Sequence, residues 1–301
     1  MKLDVSRQKA EWEEEGWSLV HGVLPDDEVR AAQDALPALF PTAEEFANDA
    51  DPERNRPFHI DSHSVIPKFP FESSALNGLV LHDNIIDLAQ EFLGLEDIRL
   101  YQGMVSAKYA NGAPDDEQLL HVDYGNHTLV VPRPEPGYQH LELFIYLSDV
   151  SASAGTRMVS RRLTTDIPTE RTYLSPAEYD HLYQAEVPAA APAGSVLAYR
   201  PDVYHRGVRM TAPGEARFML HVSYKPVNTD WLGSQAWPGA AEGMAWHRFM
   251  QETNVRQLTM LGFPKPGHPY WNQETFAGVA ARYPFLDLSP WYEASHGGGQ
   301  P

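Results

Sequence analysis

The chain has 301 residues, 23 basic against 41 acidic side chains, a net charge of −18 and no cysteine. That balance repels nucleic acid and anionic membrane. The missing thiols exclude disulfides, thiolate metal sites and cysteine nucleophiles, so any metal must be held by His, Asp or Glu.

No stretch approaches the roughly 18 consecutive apolar residues of a membrane span. Met1-Lys2-Leu3-Asp4 lacks the apolar core of a secretory signal, and the expected location is the cytoplasm. The length suits a single domain over 1–301: a mostly helical support over 1–95, a β core over 96–225 with a polar insertion at 151–194, and an extension over 226–296. Gly297–Pro301 reads as a flexible tail.

In chain order, an acidic amphipathic stretch precedes Gly16, and Trp17–Val20 is a short apolar strand. Pro25-Asp26-Asp27-Glu28 has the Pro and acids of a helix start, running to about Leu36. Ile85, Ile86, Leu88, Ala89, Phe92 and Leu93 follow a helical period over 83–93, and Gly94 supplies the stop. From Ile98 the chain reads as short strands between Gly, Pro and Asp clusters: 98–109, 118–123, 127–132, 141–147, 195–200, 204–210 and 216–225. Such spacing without alternating helices predicts an antiparallel roll, most simply a jelly roll flanked by helical N- and C-terminal segments. The spacing predicts helix again through 244–260, before an aromatic Gly/Pro segment at 262–271.

Two short segments carry metal chemistry, Gln118-Leu119-Leu120-His121-Val122-Asp123 and Tyr204-His205-Arg206-Gly207. On a strand, His121 and Asp123 point to one side, about 6.7 Å apart. With the distal His205 they supply two imidazoles and one carboxylate, the face non-haem Fe(II) uses while keeping positions open for oxidant and O2. A second His-x-Asp copy occurs at His59-Ile60-Asp61, with His63 two residues on. On one strand His59 and His63 stand about 13 Å apart, too far to share an ion, so that set reads as pocket wall or solvated loop. For His121, Asp123 and His205, satisfied polar groups at strand ends remain the alternative. Arg157, Arg161, Arg162, Arg206 and Arg209 flank the candidate site in sequence and offer local positive charge.

These residues resemble the phytanoyl-CoA dioxygenase (PhyH) family of Fe(II)/2-oxoglutarate-dependent oxygenases over about residues 10 to 225. Gly16-Trp17-Ser18-Leu19-Val20-His21-Gly22-Val23-Leu24 is similar to the family's first strand and turn. Met104-Val105-Ser106-Ala107-Lys108-Tyr109 followed by His121-Val122-Asp123 resembles its strand and His-x-Asp motif. Ala193-Gly194-Ser195-Val196-Leu197-Ala198-Tyr199, His205 and Arg217 resemble its closing strands.

The resemblance implies a double-stranded β-helix of cupin type that binds Fe(II) on His121, Asp123 and His205, with 2-oxoglutarate as co-substrate and O2 as oxidant. It assigns Arg217 to the distal carboxylate of 2-oxoglutarate, a task suited to a planar bidentate cation; Arg209 is the competitor. Strand alternation puts Arg217 on one face with Met219, His221 and Ser223. Met104 matches a position that packs on the co-substrate. Phe144 stands where the family often has Trp, and Met158-Val159-Ser160-Arg161-Arg162-Leu163 replaces its usual Pro-Gly-Ser-His turn.

The implied reaction is hydroxylation of an unactivated C–H of a small metabolite, with release of succinate and CO2. Asp123 fills the place that related halogenases leave to chloride, which argues against halogenation. The alternatives are a cupin-type Zn or Mn hydrolase or isomerase, and a non-catalytic jelly-roll binding module. No motif selects the substrate. Trp231, Trp237, Trp246, Tyr270 and Trp271 suit a cap over the barrel mouth or a homodimer contact through the C-terminal extension.

Overall fold

The computed structural model describes residues 4–123, 127–130, 135–168, 170–233, 235, 237–240 and 243–296. Helix α1 (Ser6–Glu15) ends at Gly16, whose φ of 85° a side chain would strain. A Cβ there would lie 2.2 Å from Val203 Cγ2, so the turn into strand β1 (Trp17–Val20) also needs glycine for close approach. Helix α2 (Asp26–Ala35) carries Asp26, Asp27 and Glu28 in its first turn, where negative charge complements the helix dipole. Short helices α3 (Ala43–Ala47), α4 (Pro52–Ile60) and α5 (Ser74–Val80) follow. Helix α6 (Asp83–Leu93) buries all six periodic apolar residues and stops at left-handed Gly94, as the spacing predicts.

The β core consists of two antiparallel five-stranded sheets. The larger runs β1–β8–β4–β10–β2, with β2 (Ile98–Tyr109), β4 (Leu141–Tyr146), β8 (Val196–Tyr199) and β10 (Ala216–Pro226). The smaller runs β6–β3–β9–β5–β7, with β3 (Leu120–His121), β5 (Thr156–Met158), β6 (Tyr173–Leu174), β7 (Val187–Ala189) and β9 (His205–Arg206).

Strand alternation sorts the larger sheet into two faces. Leu141, Leu143 and Ile145 of β4 join Val196, Ala198, Leu220 and Val222 in a core shared with the helices. The opposite face bears Met104, Lys108, Glu142, Phe144, Tyr199, Arg217 and His221, which line a cavity of about 250 Å³ between the sheets. The sheet is therefore apolar where helices cover it and polar where it encloses a site.

Strands β2, β4, β8 and β10 lie where the sequence predicts them. Residues 151–194 differ from the expected polar insertion, since they hold β5, β6, β7 and helix α7 (Pro176–Ala185), three strands of the smaller sheet among them. The smaller-sheet strands have only two or three residues, so 118–123 and 204–210 shrink to β3 and β9. The described part of 127–132 forms a single bridge, Thr128 to Leu232, and Val131 and Pro132 lie outside the described residues.

The 244–260 helix is broken at Thr253–Asn254 into α8 (Met244–Glu252) and α9 (Val255–Met260), the latter starting on an Asn254 capping box. Helices α10 (Gln273–Arg282) and α11 (Ser289–His296) follow, beyond the sequence expectation. Trp246 and Trp271 are buried in the helical core, so neither is available to a second copy, whereas Tyr270 stays exposed. The tail at 297–301 lies outside the described residues. No helix among the described residues is long and apolar enough to cross a membrane.

Candidate active site

His121 on β3 and His205 on β9 are direct cross-strand partners, with ring centroids 4.6 Å apart. Asp123, two residues past His121, swings under both: Oδ1 lies 3.7 Å from His121 Nε2 and Oδ2 lies 3.5 Å from His205 Nε2. The three donors thus converge on one point from two strands and the turn that follows β3.

Backbone carbonyls fix which nitrogens face that point. Nδ1 of His121 lies 2.8 Å from the Leu119 carbonyl and Nδ1 of His205 lies 3.0 Å from the Val203 carbonyl. A carbonyl only accepts, so each Nδ1 carries the proton and each Nε2 keeps a lone pair for a metal. Burial, with His205 beside it, pushes His121 down to about 4, so its imidazole is neutral near pH 7. Burial alone would raise the Asp123 carboxyl, but His205 and His127 outweigh it and hold Asp123 below the usual range.

Tyr199 donates its hydroxyl to Asp123 Oδ2 at 2.7 Å, which orients the carboxylate and satisfies a buried lone pair. Sequence reasoning missed Tyr199. Its parity with inward-facing Leu197 on β8 was the available signal. Two imidazoles with Nε2 turned to one point and a carboxylate beside them, on one side of a pocket, fit an octahedral metal such as Fe(II).

Arg217 faces the same pocket and is 2% exposed. One terminal nitrogen donates to the Ala154 carbonyl, while Nε is buried without a partner. Such an unpaired buried donor costs about 1–3 kcal/mol, and an anionic ligand with two oxygens would satisfy it. Burial pulls the Arg217 pKa below the ordinary guanidinium value, without removing the charge at neutral pH.

Lys108, the cross-strand partner of Arg217, also lines the pocket, with Nζ 3.0 Å from Asp116 Oδ1. Arg209 is exposed, and its backbone N–H donates to Glu117 Oε2 at 2.8 Å, so the competitor is absent from the pocket wall. The other flanking arginines are held elsewhere: Arg206 by Glu117 and Glu186, Arg157 near Glu186, Arg162 by Glu14, and Arg161 by the Glu13 carbonyl.

Met104 and Phe144 line the pocket, and the Phe144 ring packs 4.2 Å from that of His221. The second His-x-Asp copy is not on a strand. His59 sits on α4 stacked against Phe46, Asp61 accepts from the His63 backbone N–H, and the three do not converge. His63 does line the pocket, in keeping with a wall residue.

A model of the family described as phytanoyl-CoA dioxygenase (PhyH) matches residues 12–218. No curated protein matches the chain. Among solved structures, the epimerase SnoN in complex with Fe3+, alpha-ketoglutarate and nogalamycin RO aligns with a TM-score of 0.52 at 19% identity, covering 74% of this chain and 83% of SnoN. HygX from Streptomyces hygroscopicus, with nickel and 2-oxoglutarate bound, aligns at 0.52 and 16% identity, over 74% of this chain and 87% of HygX. The carbocyclase SnoK from nogalamycin biosynthesis aligns at 0.53 and 19% identity, over 76% and 87%. At these TM-scores the three share the fold described above. With more than half of its length matched, the chain belongs to the phytanoyl-CoA dioxygenase (PhyH) family of Fe(II)/2-oxoglutarate-dependent oxygenases.

Proposed function

We propose that this protein is a dioxygenase that binds Fe(II) through His121 Nε2, Asp123 and His205 Nε2, and hydroxylates an unactivated C–H of a small molecule. The observation that carries the reading is the convergence of these donors with both Nδ1 atoms turned away onto carbonyls. When bound, Fe(II) with 2-oxoglutarate and O2 supplies the C–H oxidation, with succinate and CO2 as co-products.

The chain's own part is positioning. Arg217 grips the distal carboxylate of 2-oxoglutarate, and Lys108 adds positive charge across the strand pair. Tyr199 keeps Asp123 from rotating, and Met104 and Phe144 supply apolar walls beside the co-substrate. A pocket of about 250 Å³ set between two sheets also limits water around the reacting centre.

Hydroxylation is tested with a metabolite extract as substrate source, under 18O2. The reading requires a product heavier than its substrate by one labelled oxygen, formed together with labelled succinate. A product isomeric with its substrate, as an epimerase gives, or one lacking two hydrogens, would contradict hydroxylation while leaving the 2-oxoglutarate dependence in place.

A further inference from the structure

A second set of metal-type donors stands beside the same pocket, with no role in the reaction above. One donor atom each of His127, His140 and Glu142 lies within 4.8 Å of the other two. Glu142 Oε1 is the hub, 2.8 Å from His127 Nδ1 and 3.4 Å from His140 Nε2. The Tyr101 hydroxyl donates to the same oxygen, and the Ser223 hydroxyl donates to the other. Glu142 and His140 are each 1% exposed. His140 Nε2 is aimed at this oxygen yet buried without a hydrogen bond, an arrangement a bound cation would relieve.

We propose that His127, His140 and Glu142 form a second divalent-cation site, separate from His121, Asp123 and His205, suited to a borderline ion such as Zn(II). Two imidazoles and one carboxylate are a donor set zinc takes, with bonds near 2.0–2.2 Å. A tetrahedral ion with such bonds holds its ligands roughly 3.4 Å apart. The His140–Glu142 separation already matches that spacing, and the closer His127–Glu142 pair must open. His127 and Glu142 line the pocket, which gives an ion a route to the site.

The test is equilibrium dialysis with Zn(II), on the full chain at fixed pH, followed by metal analysis. Wild type is expected to bind two ions per chain, and His121→Ala/His205→Ala to keep one. His140→Ala and the milder His140→Gln should each lose one, or weaken it at least tenfold, with circular dichroism unchanged. One ion in wild type that survives His121→Ala/His205→Ala and disappears in His140→Gln would also support the site, while removing zinc from the other. One ion that disappears in His121→Ala/His205→Ala and is untouched by both His140 variants would overturn the proposal, leaving a hydrogen-bonded strut.

Discussion

His121 and His205 face each other across the β3–β9 pair, and each ring is turned by the carbonyl two residues before it, Leu119 or Val203. Two residues far apart in sequence thus present equivalent nitrogens to one point. If the three hold Fe(II) as proposed, substituting either by Ala, or Asp123 by Ala, removes one of three metal bonds. Each variant is expected to lose Fe(II) binding while keeping wild-type circular dichroism, because β3 and β9 carry little of the core. Anaerobic metal titration checks this, and full-strength binding in all three would contradict the assignment.

In the proposed site Tyr199 acts through Asp123, to which its hydroxyl donates, and not on the metal itself. Tyr199→Phe keeps the ring's packing against Phe144 and His205 but removes the hydroxyl that holds Oδ2. Loss of a hydrogen bond that orients a metal ligand typically weakens metal affinity about 10- to 100-fold. Competition between the variant and a chromophoric chelator reads that loss. An unchanged Fe(II) affinity would mean the Tyr199 hydroxyl has only a structural role.

Arg217→Lys keeps the positive charge and loses the fork, because an ammonium cannot meet two carboxylate oxygens at once. The affinity for 2-oxoglutarate should fall at least about tenfold, roughly 1.4 kcal/mol, with Fe(II) affinity barely changed. Arg209 lies on the surface, so Arg209→Lys should leave both affinities as they were. Equilibrium dialysis of labelled 2-oxoglutarate against the Fe(II)-loaded protein under argon distinguishes the two. An effect at Arg209 in place of Arg217 would move the anchor.

His221 lies against the Phe144 ring, its Nε2 2.8 Å from Ser106 Oγ. Burial and the neighbouring Arg217 push it down from 6.5 to about 3. Below pH 6.5 the unfolded chain binds a proton that the folded chain refuses, so stability falls as pH drops toward 3. His121, also depressed, adds to the same trend. One such group contributes a slope of about 1.4 kcal/mol per pH unit. Metal-free His221→Phe should therefore lose stability less steeply on acidification, as read from urea midpoints. An equal slope in both proteins would show that His221 is not held neutral.

Elements of four residues or more in the β core were legible in the sequence, and those of two or three residues between 151 and 194 were not. Strand β2 and helix α6 each exceed ten residues, enough for their apolar period to mark both ends. The strands between 151 and 194 have two or three residues, and β7 contains Pro188, so no alternation could separate them from loop. His121, Asp123 and His205 were legible through the ordered resemblance to a family, since His-x-Asp also occurs at His59, where the chain is helical. Strand parity alone put Arg217 on a face with Met219 and His221, and the structure has all three on the pocket wall. The His127–His140–Glu142 cluster had no comparable signal, because its donors gather only when β4 packs beside the segment after β3.

Fe(II) on His121, Asp123 and His205 with 2-oxoglutarate beside it is open to a direct test by absorbance under strict exclusion of oxygen. Adding 2-oxoglutarate to the Fe(II)-loaded wild type should produce a saturable charge-transfer band in the visible, absent from His205→Ala. If iron is shown to be bound and no such band appears at any 2-oxoglutarate concentration, the account is contradicted.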